Sequence, residues 1–220
     1  MFNFCSLYSG STGNCLFAQS EKTNILIDAG VSTKKIESAL SQINICPENI
    51  SGILITHEHS DHIQSIGAFS KKYNIPVYTN IETWNAISAE QKEKISDENH
   101  KTFIINEKFK IGDLYISAFK IPHDAANPCG FNISNSNKKI SIATDLGHMT
   151  EDILSNLKNS SFILLESNYE PEVLKYSRYP YILKKRIDGP TRTSFKYYGW
   201  SNYCEINSYW PASSNAWALK

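Results

Sequence analysis

The run Ile53-Leu-Ile-Thr-His57-Glu58-His59-Ser60-Asp61-His62 constrains the fold more than any other part of the chain. The stretch from Ile50 to Thr56 reads as a compact apolar strand, buried on both faces. It delivers three imidazoles and the Asp61 carboxylate into six consecutive positions. A buried strand end is an expensive place for unpaired polar groups, so the run reads as metal ligands rather than incidental histidines. His57 and His59 lie two apart, and on an extended segment both rings point the same way. Asp61 and His62 follow where the chain turns into a helix, and can face a second point nearby. That split fits a two-metal site, with ions roughly 3.5–4 Å apart. Mixed imidazole and carboxylate ligands suit Zn²⁺, Mn²⁺ or Fe²⁺, and the ligand set does not select among them.

The segments around this run set the fold class. Phe2 to Tyr8, Cys15 to Gln19 and Asn24 to Asp28 read as short strands separated by Ser, Gly, Asn and Lys clusters. Ser32 reads as the N-cap of a helix with Ile36, Ala39, Leu40 and Ile43 on one face. Ser60 or Asp61 would cap a helix carrying Ile63, Ile66 and Phe69. Pro76 to Thr79 reads as a strand, Ile81 to Ile87 as a helix, and Gln91 to Lys101 as a solvated loop or helix face. Phe103 to Ile111, Leu114 to Ile121, Gly130 to Ser134, Lys139 to Thr144 and Phe162 to Glu166 are strand-like, with a short helix at Asp152 to Leu157. Strands interspersed with helices in both halves predict a layered α/β domain.

Composition bounds the function. Lys+Arg and Asp+Glu both number 22, so no global basic field advertises nucleic acid, although a neutral total can contain a local basic groove. Cys5, Cys15, Cys46, Cys129 and Cys204 are scattered and form no Cys-x-x-Cys pair, which reads as reduced thiols in a cytoplasmic protein. The N-terminus lacks the pattern of a signal peptide, and nothing approaches the ~20 apolar residues of a membrane span.

Two later spots offer further ligands. Ile121-Pro-His123-Asp124 places a histidine just after a strand, and Thr144-Asp145-Leu-Gly places an acid at another strand end. A carboxylate has two oxygens and can bridge two cations, which makes Asp145 the candidate bridge.

With these residues the chain resembles the metallo-β-lactamase-fold hydrolases, whose His-x-His-x-Asp-His hallmark is matched by His57, His59, Asp61 and His62. More narrowly it resembles the YycJ/WalJ group. That likeness is carried by Ser9-Gly-Ser-Thr-Gly-Asn14, Leu26-Ile-Asp28-Ala-Gly, Ile121-Pro-His-Asp-Ala125, Ala143-Thr-Asp-Leu-Gly147 and Leu165-Glu-Ser-Asn168, with Tyr179-Pro180 and Leu183-Lys-x-Arg186-Ile187. The resemblance implies an αββα sandwich of four layers with metals at one edge. It implies a 5′-to-3′ DNA exonuclease that hydrolyses phosphodiester bonds with a hydroxide activated by two divalent ions, zinc or manganese. His57, His59 and His123 would hold the first ion, Asp61 and His62 the second, and Asp145 would bridge; Asp61 would also handle the proton. Asp28 reads either as a support for a ligand or as a turn former at a strand end. The Ser9 to Asn14 loop reads either as a source of backbone N–H groups for phosphate or as a hairpin turn.

The pattern breaks near the C-terminus. The group carries a further second-site histidine in a Gly-His-Leu-Ser-Asn motif soon after its Arg-Ile pair, and here no histidine follows His148. Trp200, Trp210 and Trp217 all fall in the tail, which has neither a helical nor a strand period. Arg192 to Tyr197 can be encoded AGG-ACA-TCT-TTC-AAA-TAC, and one base later this reads Gly-His-Leu-Ser-Asn. The expected organisation is therefore a metallo-β-lactamase domain over 1–190, its C-terminal part incomplete, and a tail over 191–220 produced by a change of frame. The second metal site is expected to be weakened; His148 standing in as the last ligand is the less favoured alternative. The alternatives are another hydrolase of the same fold, such as a transfer-RNA processing endonuclease or a thioesterase, and a non-catalytic metal-binding remnant.

Overall fold

The computed structural model describes residues 2–166 and the backbone of the strand Asn215–Leu219. The stretches around Asn168, Tyr179 and Arg186, and the frame break at Pro190, lie outside the described residues. The chain divides into two units: Met1–Ser117 with Ala125–Asn127, and Ala118–Asp124 with Pro128–Lys220.

In the first unit, β1 (Asn3–Tyr8), β2 (Cys15–Gln19) and β3 (Asn24–Ile27) run antiparallel to one another. The sheet continues through β4 (Ile50–Leu54), β5 (Val77–Thr79) and β6 (His100–Thr102), each parallel to its predecessor from β3 onward. Parallel pairing needs crossovers. These contain α1 (Thr33–Gln42), the split pair α2 (Ser60–Ile63) and α3 (Ile66–Tyr73), then α4 (Ile81–Ala86) and α5 (Ala89–Lys92). The helices bury Ile36, Leu40, Ile63, Ile66 and Phe69 in one core with Leu26, Ile53 and Val77 from the strands and Ile55 just beyond β4. Each such side chain, fully buried, contributes about 1.5–3 kcal/mol. The parallel strands end on one edge, and Asp28, Thr56 with the ligand run, and Asn80 emerge there from β3, β4 and β5.

The second sheet has the order β12-β11-β10-β9-β8-β7. Its members are β7 (Lys108–Ile111), β8 (Leu114–Lys120), β9 (Cys129–Ser134), β10 (Lys139–Ala143), β11 (Phe162–Glu166) and β12 (Asn215–Leu219), with α6 (Glu151–Leu157) between β10 and β11. In the second unit Phe119, Ile121, Ala143, Leu146, Ile153, Leu157 and Ile163 form a core of their own.

Several expectations are corrected by tertiary contacts. The helix expected after the ligand run is two helices, capped at His59 and Ser65 rather than at Ser60 or Asp61. Ser65 interrupts it because its N–H donates to Ala29 O (3.0 Å) and its hydroxyl to Val31 O (2.6 Å). The expected strand from Phe103 shrinks to Lys108–Ile111, because Glu107 N closes a turn on Ile104 O around left-handed Asn106. Within the polar stretch Gln91 to Lys101, β6 begins at His100 and pairs with β5 through its backbone. β12 likewise forms in a tail without a strand period, since main-chain pairing with β11 needs no hydrophobic alternation.

Candidate metal centre

The ligand run follows β4, which ends at Leu54, and at Thr56 its backbone is fixed from beneath by Asp28. The Asp28 carboxylate accepts from Thr56 N (2.9 Å) and Thr56 Oγ1 (2.9 Å) through its two oxygens, and from His62 Nδ1 (2.7 Å). Asp28 therefore holds the candidate ligand His62 directly. Its backbone is left-handed, with φ of 62°, as is that of Asp145 with φ of 53°. Non-glycine residues adopt this conformation uncommonly, Asp and Asn most readily among them. Both aspartates follow strand ends.

The hydrogen-bond order assigns the tautomers of two buried imidazoles. His62 Nδ1 faces a carboxylate oxygen, so it carries the hydrogen and donates, leaving a lone pair on Nε2. The Thr56 hydroxyl gives its hydrogen to Asp28, so at 3.0 Å it accepts from His57 Nδ1, again leaving Nε2 with the lone pair. One carboxylate thus prepares two histidines for coordination, the arrangement through which outer partners orient metal ligands.

The donor atoms of the first unit lie close together. His57 Nε2 and His59 Nδ1 are 3.1 Å apart, and the His57 and His62 ring centroids 4.1 Å. Two nitrogens bound to one tetrahedral zinc at 2.0–2.1 Å would stand about 3.3 Å apart, so the His57–His59 pair fits a shared ion. His62 Nε2 lies 3.7 Å from Asp61 Oδ2. His57 and His62 are fully buried, whereas the Asp61 side chain keeps 35% of its surface exposed. An inner wall of buried imidazoles with a carboxylate reaching solvent suits an ion that must meet a substrate.

The loop from Ser9 to Asn14 packs against this run. Asn14 N donates to Asp61 O (2.8 Å), Asn14 Oδ1 accepts from Gly10 N (3.1 Å), and Asn14 Nδ2 lies 3.0 Å from His62 Nε2. Gly13 N closes a turn on Gly10 O at 3.0 Å. The N–H groups of Gly10, Gly13 and Asn14 are thus committed to acceptors within the protein, as the hairpin reading requires. Gly30 is a steric necessity here: a Cβ would stand 1.5 Å from Asp61 O.

In the second unit, His123 follows β8 and Asp145 follows β10. Gly147 N donates to Pro122 O (2.8 Å), which ties the loops of His123 and Asp145 together. His123 Nδ1 is 3.5 Å from Asp124 Oδ1, and Asp145 is buried. His148 is exposed. Sequence reasoning missed Thr56, Asn14 and Glu58, which accepts from Ala126 N at 2.8 Å. All three lie in motif stretches that carry the family resemblance, Asn14 at the end of the Ser9 loop and Thr56 and Glu58 within the His run, but nothing in the sequence assigned any of them a role.

Comparisons with known proteins show the family and the fold. The family model described as the beta-lactamase superfamily domain matches residues 23–178. The chain is 38% identical over 192 residues to the exodeoxyribonuclease YycJ of Bacillus anthracis, covering 84% of this chain and 70% of that protein. It is 35% identical over 187 residues to the exodeoxyribonuclease WalJ of Streptococcus pneumoniae, with the same coverage. Among solved structures, the metallo-β-lactamase fold protein YhfI of Bacillus subtilis superposes with a TM-score of 0.61 at 16% identity, covering 95% of this chain and 90% of that one. The two mixed sheets and their helices are the αββα metallo-β-lactamase fold. The chain belongs to the β-lactamase superfamily and, within it, to the family of the YycJ and WalJ exodeoxyribonucleases.

Proposed function

We propose that the chain is a metal-dependent phosphodiesterase that degrades DNA from the 5′ end toward the 3′ end. The observation that carries this reading is the similarity to exodeoxyribonucleases over 84% of the chain, which includes the His/Asp cluster of donor atoms. In this reading His57, His59 and His123 would hold one divalent ion, Asp61 and His62 would hold a second, and Asp145 would be shared between them. The ions are zinc or manganese, and the second is held more weakly for want of a histidine after His148. DNA is the substrate and the cytoplasm the place of action. Among the described residues no helix is long and apolar enough to cross a membrane.

When bound, such ions supply positive charge to the phosphate and lower the pKa of a water. The chain's own residues do the rest. Asp28 and Thr56 keep His57 and His62 in their ligating tautomers. Asp61, partly exposed beside His62, takes the proton of the attacking water. The test is duplex DNA labelled at the 5′ end, incubated with the chain and Mn²⁺ or Zn²⁺. Stepwise release of 5′ mononucleotides, lost on chelation and in Asp61→Asn, is the expected result; internal cleavage products would overturn the polarity.

The second reading, a metal-binding remnant without turnover, is favoured by that missing histidine. One ion per chain with intact DNA is its signature. A change of frame after Pro190 accounts for the loss and makes the sequence of 191–220 foreign to a domain spanning 1–190, while Asn215–Leu219 pairs with β11 through its main chain. Sequencing the DNA across codons 185–200 tests it: codons unable to yield Gly-His-Leu-Ser-Asn in the shifted frame end the idea.

A further inference from the structure

The loop that carries His123 is fastened at its neck and at its tip. At the neck, Ile121 N donates to Pro128 O (3.1 Å) and Gly147 N to Pro122 O (2.8 Å). The tip is Ala125–Asn127, which belongs to the first unit while the residues on either side belong to the second. Glu58 Oε1 accepts from Ala126 N at 2.8 Å. Asn80 Nδ2 donates to Asn127 O (2.9 Å), and Asn127 Nδ2 donates to Glu82 Oε2 (3.1 Å). Asn80 also caps α4, accepting from Thr83 N at 2.8 Å, so this part of the tip is fixed to the start of a helix.

Glu58 differs from the other anchors because it comes from the ligand run itself. On an extended segment its side chain points away from those of His57 and His59. It can therefore bind a backbone N–H on the far side without entering the space where the ring nitrogens meet. Of the tip's fastenings this bond lies nearest in sequence to His123.

We infer that Glu58 is a positioning residue: by holding the Ala126 N–H it fixes the chain behind His123 and presents that imidazole for coordination. This rests on the reading of His57, His59 and His123 as ligands of one ion. What Glu58 supplies is an acceptor at the right distance; its negative charge is incidental.

Three variants separate acceptor from charge. Glu58→Gln keeps the acceptor without the charge, Glu58→Asp keeps the charge but withdraws the oxygen by one methylene, and Glu58→Ala removes both. The readouts are Ala126 amide exchange, calorimetric titration with Zn²⁺, and thermal unfolding as a check on folding. Glu58→Ala and Glu58→Asp should speed Ala126 exchange and weaken metal binding about 10–100-fold, the usual effect of losing an outer partner. Glu58→Gln should hold both near wild type. In a His123→Ala background, Glu58→Ala should cause no further loss of affinity.

The inference is overturned if Glu58→Gln binds metal as weakly as Glu58→Ala, since charge would then be the cause. It is also overturned if Ala126 exchange or metal affinity is unchanged in Glu58→Asp. Should Glu58→Ala not fold, the Asp and Gln pair gives the same decision. Wild-type chain that leaves DNA intact while the series behaves as expected defeats the nuclease reading alone. Unchanged affinity in His123→Ala defeats the ligand assignment instead.

Discussion

Replacing Asp28 by Asn isolates the chemistry of the support beneath the ligand run. Asn tolerates the left-handed backbone at φ 62°, so little strain is added. The hydrogen bonds cannot all survive. Asp28 Oδ1 accepts from Thr56 N, while Oδ2 accepts from both Thr56 Oγ1 and His62 Nδ1. The backbone N–H cannot change its polarity, so the amide oxygen must face it and the NH₂ must take the place of Oδ2. There it meets His62 Nδ1–H as a second donor, and moving that hydrogen to Nε2 would set it against the Asn14 Nδ2 amide donor 3.0 Å away. The tautomer that would present Nε2 to a metal is then destabilised, with no unopposed tautomer to replace it. Loss of an outer partner of this kind costs about 10–100-fold in metal affinity, or about 1.4–2.7 kcal/mol. Stability should fall by about 1.5–3 kcal/mol with the loss of hydrogen bonds to a charged group. Calorimetric titration with Zn²⁺ and urea unfolding of both proteins measure the two effects. Metal affinity within about threefold of wild type in Asp28→Asn would refute the tautomer argument.

Thr56→Val keeps the shape but removes the hydroxyl between Asp28 and His57; it should weaken metal binding by less than Asp28→Asn, because His62 keeps its carboxylate. Gly30→Ala sets a Cβ 1.5 Å from the Asp61 carbonyl oxygen, a backbone atom that cannot swing aside. Overpacking typically costs about 1–3 kcal/mol, and this contact should reach at least the top of that range in urea unfolding; an unchanged midpoint would contradict it. Burial, with Asp28 nearby, pushes the Cys15 thiol well above its ordinary value of 9.0. An unfolded Cys15 ionises above that value while the folded one stays neutral. Its contribution to stability is therefore complete below about pH 9 and declines as pH rises beyond it, by up to about 1.4 kcal/mol per pH unit. A thiol reagent at pH 8 should modify exposed Cys46 quickly and Cys15 only on unfolding.

What the sequence made legible was local. β2 and β11 have the bounds read from the sequence, each an apolar run closed by one polar residue, because a buried strand advertises itself residue by residue. The spacing of His57 and His59 predicted convergent rings, and their nitrogens meet at 3.1 Å. The features that escaped depend on partners far along the chain. Ser65 breaks a helix through oxygens of Ala29 and Val31, and no periodicity within the helix could reveal that. Asp28 was poised between two readings until the fold brought His62 to 2.7 Å from it. Thr56 and Glu58 are unremarkable residue types whose roles come from neighbours supplied by tertiary structure.

The central claim, that this chain is a metal-dependent exonuclease, is tested most directly by one time course. Metal-loaded chain is mixed with duplex DNA labelled at one 5′ end, and metal per chain is determined on the same sample. The account predicts that label appears first as a mononucleotide while the 3′ end stays intact, with release stopped by chelator. Undegraded DNA alongside one firmly bound ion per chain would contradict it and leave the metal-binding remnant as the description of this protein.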